Sequence, residues 1–162
     1  MNHKPVFSAI LSLLLCCSVY AETWKLKNVR GKSAVFADGK VVQNSNTGEF
    51  VLTGKQGFKV KGGVEYILDF ECKIENINGA YVNFYLQAFD AKGKPKQTVA
   101  YGGSPGVRGF NRDRMSRLEI PSAHFLKHRM HFKAGNKSVR MVPVFESSDG
   151  AITLVPGKMT LT

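Results

Sequence analysis

Tyr81, Asn83, Tyr85 and Gln87 alternate along the run A-Y-V-N-F-Y-L-Q-A-F-D (80–90). In an extended strand alternate side chains share one face, about 6–7 Å apart. These four, with Phe89, therefore form a comb of rings and carboxamides. Ala80, Val82, Phe84, Leu86 and Ala88 form the opposite, apolar face. A tyrosine ring stacks on the apolar face of a sugar, and its hydroxyl adds a hydrogen bond. Asn and Gln each offer a donor and an acceptor, which suits a sugar hydroxyl. A strand buried on both faces would simply pack its tyrosines. The amides between them weigh against that, because a buried amide needs several partners.

The preceding run, Y-I-L-D-F-E-C-K-I-E (66–75), also alternates, and N-I-N-G (76–79) follows it. Asn and Gly tolerate the left-handed backbone of a reversal, so the pattern predicts an antiparallel hairpin over Tyr66–Asp90. That pairing would set Glu71 and Lys73 beside the comb as further ligand-binding residues. A second cluster lies in G-G-S-P-G-V-R-G-F-N-R-D-R-M-S-R (102–117), where Arg108, Arg112, Arg114 and Arg117 face one acid, Asp113. The basic stretch continues to Arg140. Guanidinium forks bind carboxylate and sulfate in pairs. Laid over the comb, Arg108, Arg112, Arg114 and Arg140 would select an acidic polysaccharide; the bland alternative is a solvated basic loop.

Catalytic constellations are missing by comparison. His124 and His128 have helical spacing for a metal, but no third ligand lies nearby. There is no G-x-S-x-G elbow, and Cys72 has no evident histidine partner. Glu71 and Glu75 on one strand face would sit about 13 Å apart, too far for paired carboxylates in glycoside hydrolysis. The sequence predicts a protein that is not an enzyme, with no catalytic residues, no metal and no cofactor.

What must position the comb is a β-rich chain of 162 residues. Lys4, the apolar run Val6–Val19 and the ending Val19-Tyr20-Ala21 have the grammar of a secretory leader cleaved after Ala21. The apolar run is shorter than the roughly 20 residues of a membrane-spanning helix, so no transmembrane segment is expected. Cys16 and Cys17 raise a rival, a lipoprotein anchor, but Leu13-Leu14-Leu15 precede them where that signal wants a small residue. The expectation is a secreted or periplasmic protein with one domain, 22–162. Cys72 is then the remaining cysteine and reads as a small core side chain.

The formal charge is +11, of which Lys4 alone falls in the leader. Anionic polysaccharide or anionic lipid are suitable partners for such a surface; export disfavours nucleic acid. Ala37-Asp38-Gly39 is a hairpin signal, and glycine turns separate short strand-like runs throughout. Ser122–Lys127 reads as a helical turn, and Pro143 marks an edge or a bulge in the run 138–146. The fold class is all-β: a two-sheet antiparallel β-sandwich with almost no helix.

Three stretches carry a resemblance: V-K-G-G-V-E-Y-I-L-D-F-E-C-K-I (60–74), F-D-A-K-G-K (89–94) and S-V-R-M-V-P-V-F-E-S-S-D-G-A-I (138–152). In turn and strand grammar they resemble the jelly-roll carbohydrate-binding modules of bacterial xylanases and glucanases. The resemblance implies a jelly-roll sandwich that binds glycan on one concave sheet face. Those modules usually close on a strand with an acidic residue near a structural calcium. Here the segment reads I-T-L-V-P-G-K-M-T-L, without an acid, so the resemblance does not carry the calcium over.

Two readings stand. One is a carbohydrate-binding protein, in its sharper form for an anionic polysaccharide. The other is a non-enzymatic structural component of the cell envelope that uses the same tyrosines against a protein partner. A membrane-surface binder working through the basic loop is the weakest of the alternatives.

Overall fold

The computed structural model describes residues 18–20, 23–31, 34–44, 47–78, 80–101, 118, 121–148 and 150–162. Among these the chain forms strands and turns only. In order they are β1 (Ser18–Tyr20), β2 (Trp24–Arg30), β3 (Ala34–Ala37), β4 (Lys40–Gln43), β5 (Glu49–Gly54), β6 (Phe58–Lys59), β7 (Glu65–Asn78), β8 (Val82–Phe89), β9 (Pro95–Ala100), β10 (Leu126–Lys133), β11 (Arg140–Ser147) and β12 (Ala151–Leu161).

Two antiparallel sheets pack face to face. The β7 sheet has the order β10-β7-β12-β4-β3, with β1 beside β12; the β8 sheet has the order β2-β5-β11-β8-β9, with β6 beside β11. The core lies between them. Leu68, Phe70, Cys72 and Ile74 of β7 meet Val82, Phe84, Leu86 and Ala88 of β8 there, with Phe50, Leu52, Met141 and Phe145.

The expected β7–β8 hairpin is therefore wrong. The two strands lie in different sheets and face each other across the core. β7 pairs instead with β10 and β12, and β8 with β11 and β9. The period of two finds the apolar face of each strand, yet strands paired edge to edge and strands packed face to face leave the same alternation. The turn-like residues Asn76 and Asn78 lie in the last part of β7, paired with Thr153 and Ala151 of β12, and the chain crosses to the other sheet only after them.

Other local signals hold. Asp38 (φ 51°) and Gly39 (φ 75°) form a two-residue turn that puts Ala37 opposite Lys40. Positive φ at both central positions is the hairpin turn whose twist suits antiparallel strands. Pro143 corrects a simple edge reading, because β11 is internal to its sheet. The proline pairs with Leu86 on one side. On the other, β6 begins with Phe58 opposite Met141, and the β5 pairing ends with Thr53 opposite Val144. The missing N–H thus falls in a gap between two short partners. Ser122–Lys127 is not helical: β10 begins at Leu126.

At one side of the sandwich a carboxamide joins the sheets. Asn28 Nδ2 donates to the Ala34 carbonyl, and Asn28 Oδ1 accepts from the Ala34 N–H, both at 3.1 Å. The side chain thereby ties edge strand β2 to edge strand β3. β1 lies within the stretch read as the leader, and pairs Ser18–Tyr20 with Leu161–Met159.

Candidate functional site

The face of the β8 sheet turned away from the core is built by register. β8 and β11 put Asn83 beside Glu146, Tyr85 beside Val144, Gln87 beside Val142 and Phe89 beside Arg140. β9 adds Ala100 opposite Tyr85 and Thr98 opposite Gln87. On the other flank, Val51 and Thr53 lie opposite Glu146 and Val144, and Lys27 and Lys25 opposite those. Lys59 pairs with Arg140. The result is a central row of ring, amides and one carboxylate, flanked by Lys25, Lys27, Lys59 and Arg140.

Tyr81, Tyr85, Gln87 and Phe89 are half-buried. Arg140 stands over the Phe89 ring, with Cζ 5.0 Å from the centroid. Gln87 is already engaged: Thr98 Oγ1 donates to its Oε1 at 3.1 Å, and its Nε2 donates to the Ala88 carbonyl at 3.1 Å. Tyr81 is fixed by its backbone, whose N–H donates to Ser148 Oγ at 3.0 Å. Asn83 departs from the open comb. It is 0% exposed, and among the described residues neither amide atom has a hydrogen-bond partner. Val142, Val144 and Glu146 beside it are also buried. Asn83 and Glu146 are thus covered together with Val142 and Val144, while Tyr85, Gln87 and Phe89 of the same face stay partly exposed. Sequence reasoning missed Glu146 as a neighbour of the comb. The alternation Arg140, Val142, Val144, Glu146 was a signal for it, but only the β8–β11 register shows which strand lies alongside.

Glu71 and Lys73 are not in this assembly. They point outward from the β7 sheet, on the opposite side of the sandwich, because β7 and β8 are not hydrogen-bonded neighbours. There they belong to a lattice of opposite charges. Lys127 is in register with Glu71, Arg129 with Asp69 and Lys133 with Glu65. Arg129 Nε and Nη2 grip Asp69 at 2.6 and 2.9 Å. That guanidinium holds the Asp69 carboxyl below its ordinary range. Lys73 Nζ lies 2.7 Å from Glu75 and likewise holds that acid low. Exposed pairs of this kind contribute little stability; here they leave Lys73 committed to a neighbour. Of the predicted residues, the structure brings Tyr81, Asn83, Tyr85, Gln87 and Arg140 to one face. Arg108, Arg112 and Arg114 lie outside the described residues.

A histidine partner for Cys72, invisible in sequence, comes from β10. His128 Nε2 lies 3.6 Å from Cys72 Sγ, and His128 Nδ1 lies 3.3 Å from the Tyr101 hydroxyl. Burial pushes the Cys72 thiol up to about 12 and lowers the His128 imidazole. Both shifts favour the neutral pair, the opposite of an activated thiolate–imidazolium couple. Among the described residues no group of three or more His, Cys, Asp or Glu can hold a metal ion. Among the described residues no helix is long and apolar enough to cross a membrane.

No family model matches the sequence, and no curated protein matches it. Solved structures do match. The enzymatically active domain of tailspike protein 4 of bacteriophage CBA120 superposes with a TM-score of 0.55 at 13% identity, over 83% of this chain and 19% of that one. The CBM22-1–GH10 modules of Clostridium thermocellum endo-1,4-beta-D-xylanase 10B, complexed with xylohexaose, give 0.50 at 12% identity, over 86% and 26%. The carbohydrate recognition domain of Emp47p gives 0.50 at 12%, over 85% and 87%. The chain thus spans about a fifth of the tailspike structure and about a quarter of the xylanase structure. It shares the jelly-roll-like sandwich of carbohydrate-binding modules. At these identities the likeness is one of fold.

Proposed function

We propose that this protein binds polysaccharide, without cleaving it, on the outer face of the β8 sheet. The observation that carries the reading is the β8–β11 register, which sets Tyr85, Gln87, Asn83 and Glu146 in adjoining positions on one face. The half-buried Tyr85 ring supplies a stacking platform, and the half-buried Gln87 keeps a lone pair on Oε1 beside its bond from Thr98 for a sugar hydroxyl, while Asn83 and Glu146 lie buried beside them. Two structures of the same fold support it by what they bind or are named for: the xylanase modules hold xylohexaose, and the Emp47p domain is a carbohydrate recognition domain. The neutral Cys72–His128 pair supports the non-catalytic part of the reading only against thiolate chemistry; the tailspike structure, of which this chain covers 19%, is an enzymatically active domain.

The flanking Lys25, Lys27, Lys59 and Arg140 favour an acidic polymer, carrying uronate or sulfate, over a neutral one. A glycan array on the purified protein tests both levels. Retention of acidic glycans, weakened by Tyr85→Ala, is the expected result. Retention of neutral xylans alone would leave the fold-level reading and remove the acidic one. Retention of no glycan, with the protein folded, would favour the alternative of a structural envelope component that uses this face against another protein.

A further inference from the structure

We infer that one end of the sandwich is a docking surface for an anionic lipid membrane. Three connections build that end, and every residue in them is described. The chain from β6 to β7 (60–64) and the chain from β10 to β11 (134–139) each cross between the sheets, and the turn 90–94 joins β8 to β9. Lys59, Lys61, Lys92, Lys94, Lys137 and Arg140 stand on these connections or at their roots, and all six are exposed. The acids nearby are engaged elsewhere. Asp90 Oδ1 accepts from the N–H groups of Lys92 and Lys94, each at 2.9 Å, and its Oδ2 lies 3.1 Å from Lys96 Nζ. Glu65 is in register with Lys133. The ion pairs among the described residues include none of the six cations.

Backbone bonds lace the three connections into one platform. The Val139 N–H donates to the Phe89 carbonyl, and the Val139 carbonyl accepts from the Val60 N–H, both at 3.0 Å. The Gly63 N–H donates to the Ala134 carbonyl at 2.8 Å. Gly62 has no room for a Cβ against the Asn136 carbonyl, so the two crossovers touch backbone to backbone. The Tyr66 hydroxyl accepts from the Lys61 N–H at 2.8 Å, and its ring stacks on Phe132. The cations are thus held at their backbones, with their long stems free to reach outward.

The shape and chemistry of the patch favour a lipid surface over a polymer chain. Its cations spread across the ends of both sheets, which pack about 10 Å apart, so they cover an area and not a line. All but Arg140 are lysines, compact charges without the fork that reads one carboxylate or sulfate; their attraction sums over many headgroups. Val64 and Val139, 39% and 43% exposed, stand among them. Apolar side chains within a basic patch suit the boundary between headgroups and acyl chains. Lys59 and Arg140 also flank the β8 face, but the inference does not rest on the glycan reading: Lys61, Lys92, Lys94 and Lys137 lie on the connections beyond that face.

Sedimentation of the purified protein with vesicles tests it. The protein should bind phosphatidylcholine vesicles that contain phosphatidylglycerol, more weakly at high salt, and should not bind vesicles of phosphatidylcholine alone. Lys61→Gln, Lys92→Gln, Lys94→Gln and Lys137→Gln together should lower the partition at least about a hundredfold, from about fivefold per lysine near an anionic leaflet. The four side chains are exposed, so this variant should keep the wild-type urea midpoint. Lys40→Gln, Lys73→Gln, Lys127→Gln and Lys158→Gln together remove the same charge from the β7 sheet and should cost less than about tenfold, because exposed charges are screened beyond about 8–10 Å. Equal losses in the two variants would reduce the effect to net charge and overturn the inference. Equal binding to both vesicle types, or binding to neither, would also overturn it. If the protein ignores both vesicles, and only the first variant loses binding to soluble polygalacturonate, the end serves an acidic polymer and the lipid assignment falls.

Discussion

Phe70 of β7 and Phe84 of β8 stack across the core with ring centroids 4.0 Å apart and planes 21° from parallel. This contact fixes the relation between the two longest alternating runs: they are opposing walls, not paired neighbours. Phe70 also stacks on His128 at 4.9 Å, and Phe84 meets Phe145 at 4.9 Å, so the pair sits at the centre of an aromatic cluster.

Phe84→Ala should cost about 3–5 kcal/mol in urea unfolding, the sum of lost transfer free energy and a residual cavity. Phe84 is 0% exposed and Phe70 1%. A double-mutant cycle with Phe70→Ala should show direct coupling of about 0.5–1.5 kcal/mol, the range for an aromatic pair. A loss below about 1 kcal/mol for Phe84→Ala would not fit a buried phenylalanine.

The two outer faces should respond differently to mutation. Tyr85→Ala should weaken glycan binding strongly and leave unfolding nearly unchanged. Glu71→Ala and Lys73→Ala, on the opposite side of the sandwich, should leave binding at the wild-type level in isothermal titration. Loss of binding in the latter pair would move the site to the β7 sheet.

Arg140→Gln should weaken an acidic glycan more than a neutral one and flatten the salt dependence. Exposed charge attraction is screened within about 8–10 Å at ordinary ionic strength, whereas ring stacking has no comparable salt dependence. Titration at two salt concentrations reads this directly. Equal slopes for wild type and Arg140→Gln would remove Arg140 from the contact.

Acid should destabilise the sandwich through His128. Burial holds its folded-state value below the ordinary 6.5, so the unfolded chain binds a proton first as pH falls. The stabilising contribution is complete above about 6.5 and declines as pH drops through that value toward the folded one. Asp69, Glu75 and Asp90 are held below their ordinary values of 3.8, 4.5 and 3.8 and keep their charges through this window. His128→Phe, which can keep the stack on Phe70, should remove the slope below pH 6.5. An unchanged slope in the variant would assign it elsewhere.

Export with cleavage after Ala21 is expected to yield a protein beginning at Glu22, read by intact mass. Such processing removes β1, and hydrogen exchange at Met159–Leu161 should then be faster than in the uncleaved chain. A diacylglyceryl adduct on Cys16 or Cys17 would support the anchored alternative.

The sequence by itself determined which side of each strand faces the core. Val82, Phe84, Leu86 and Ala88, and Leu68, Phe70, Cys72 and Ile74, are buried where their period of two puts them. It also determined the Asp38-Gly39 turn, because positive φ at consecutive positions demands those residue types. The likeness to jelly-roll modules was legible in the same turn and strand grammar. Only the tertiary structure decided which strands are neighbours. Alternation records burial, a property of one strand, whereas pairing depends on residues far away: Glu146 reaches Asn83 and His128 reaches Cys72 by strand order that no local pattern encodes. For that reason the sequence could group Tyr85 with Gln87, which share a strand. It could not separate both from Glu71 and Lys73, which lie close in the chain and on the opposite face of the molecule.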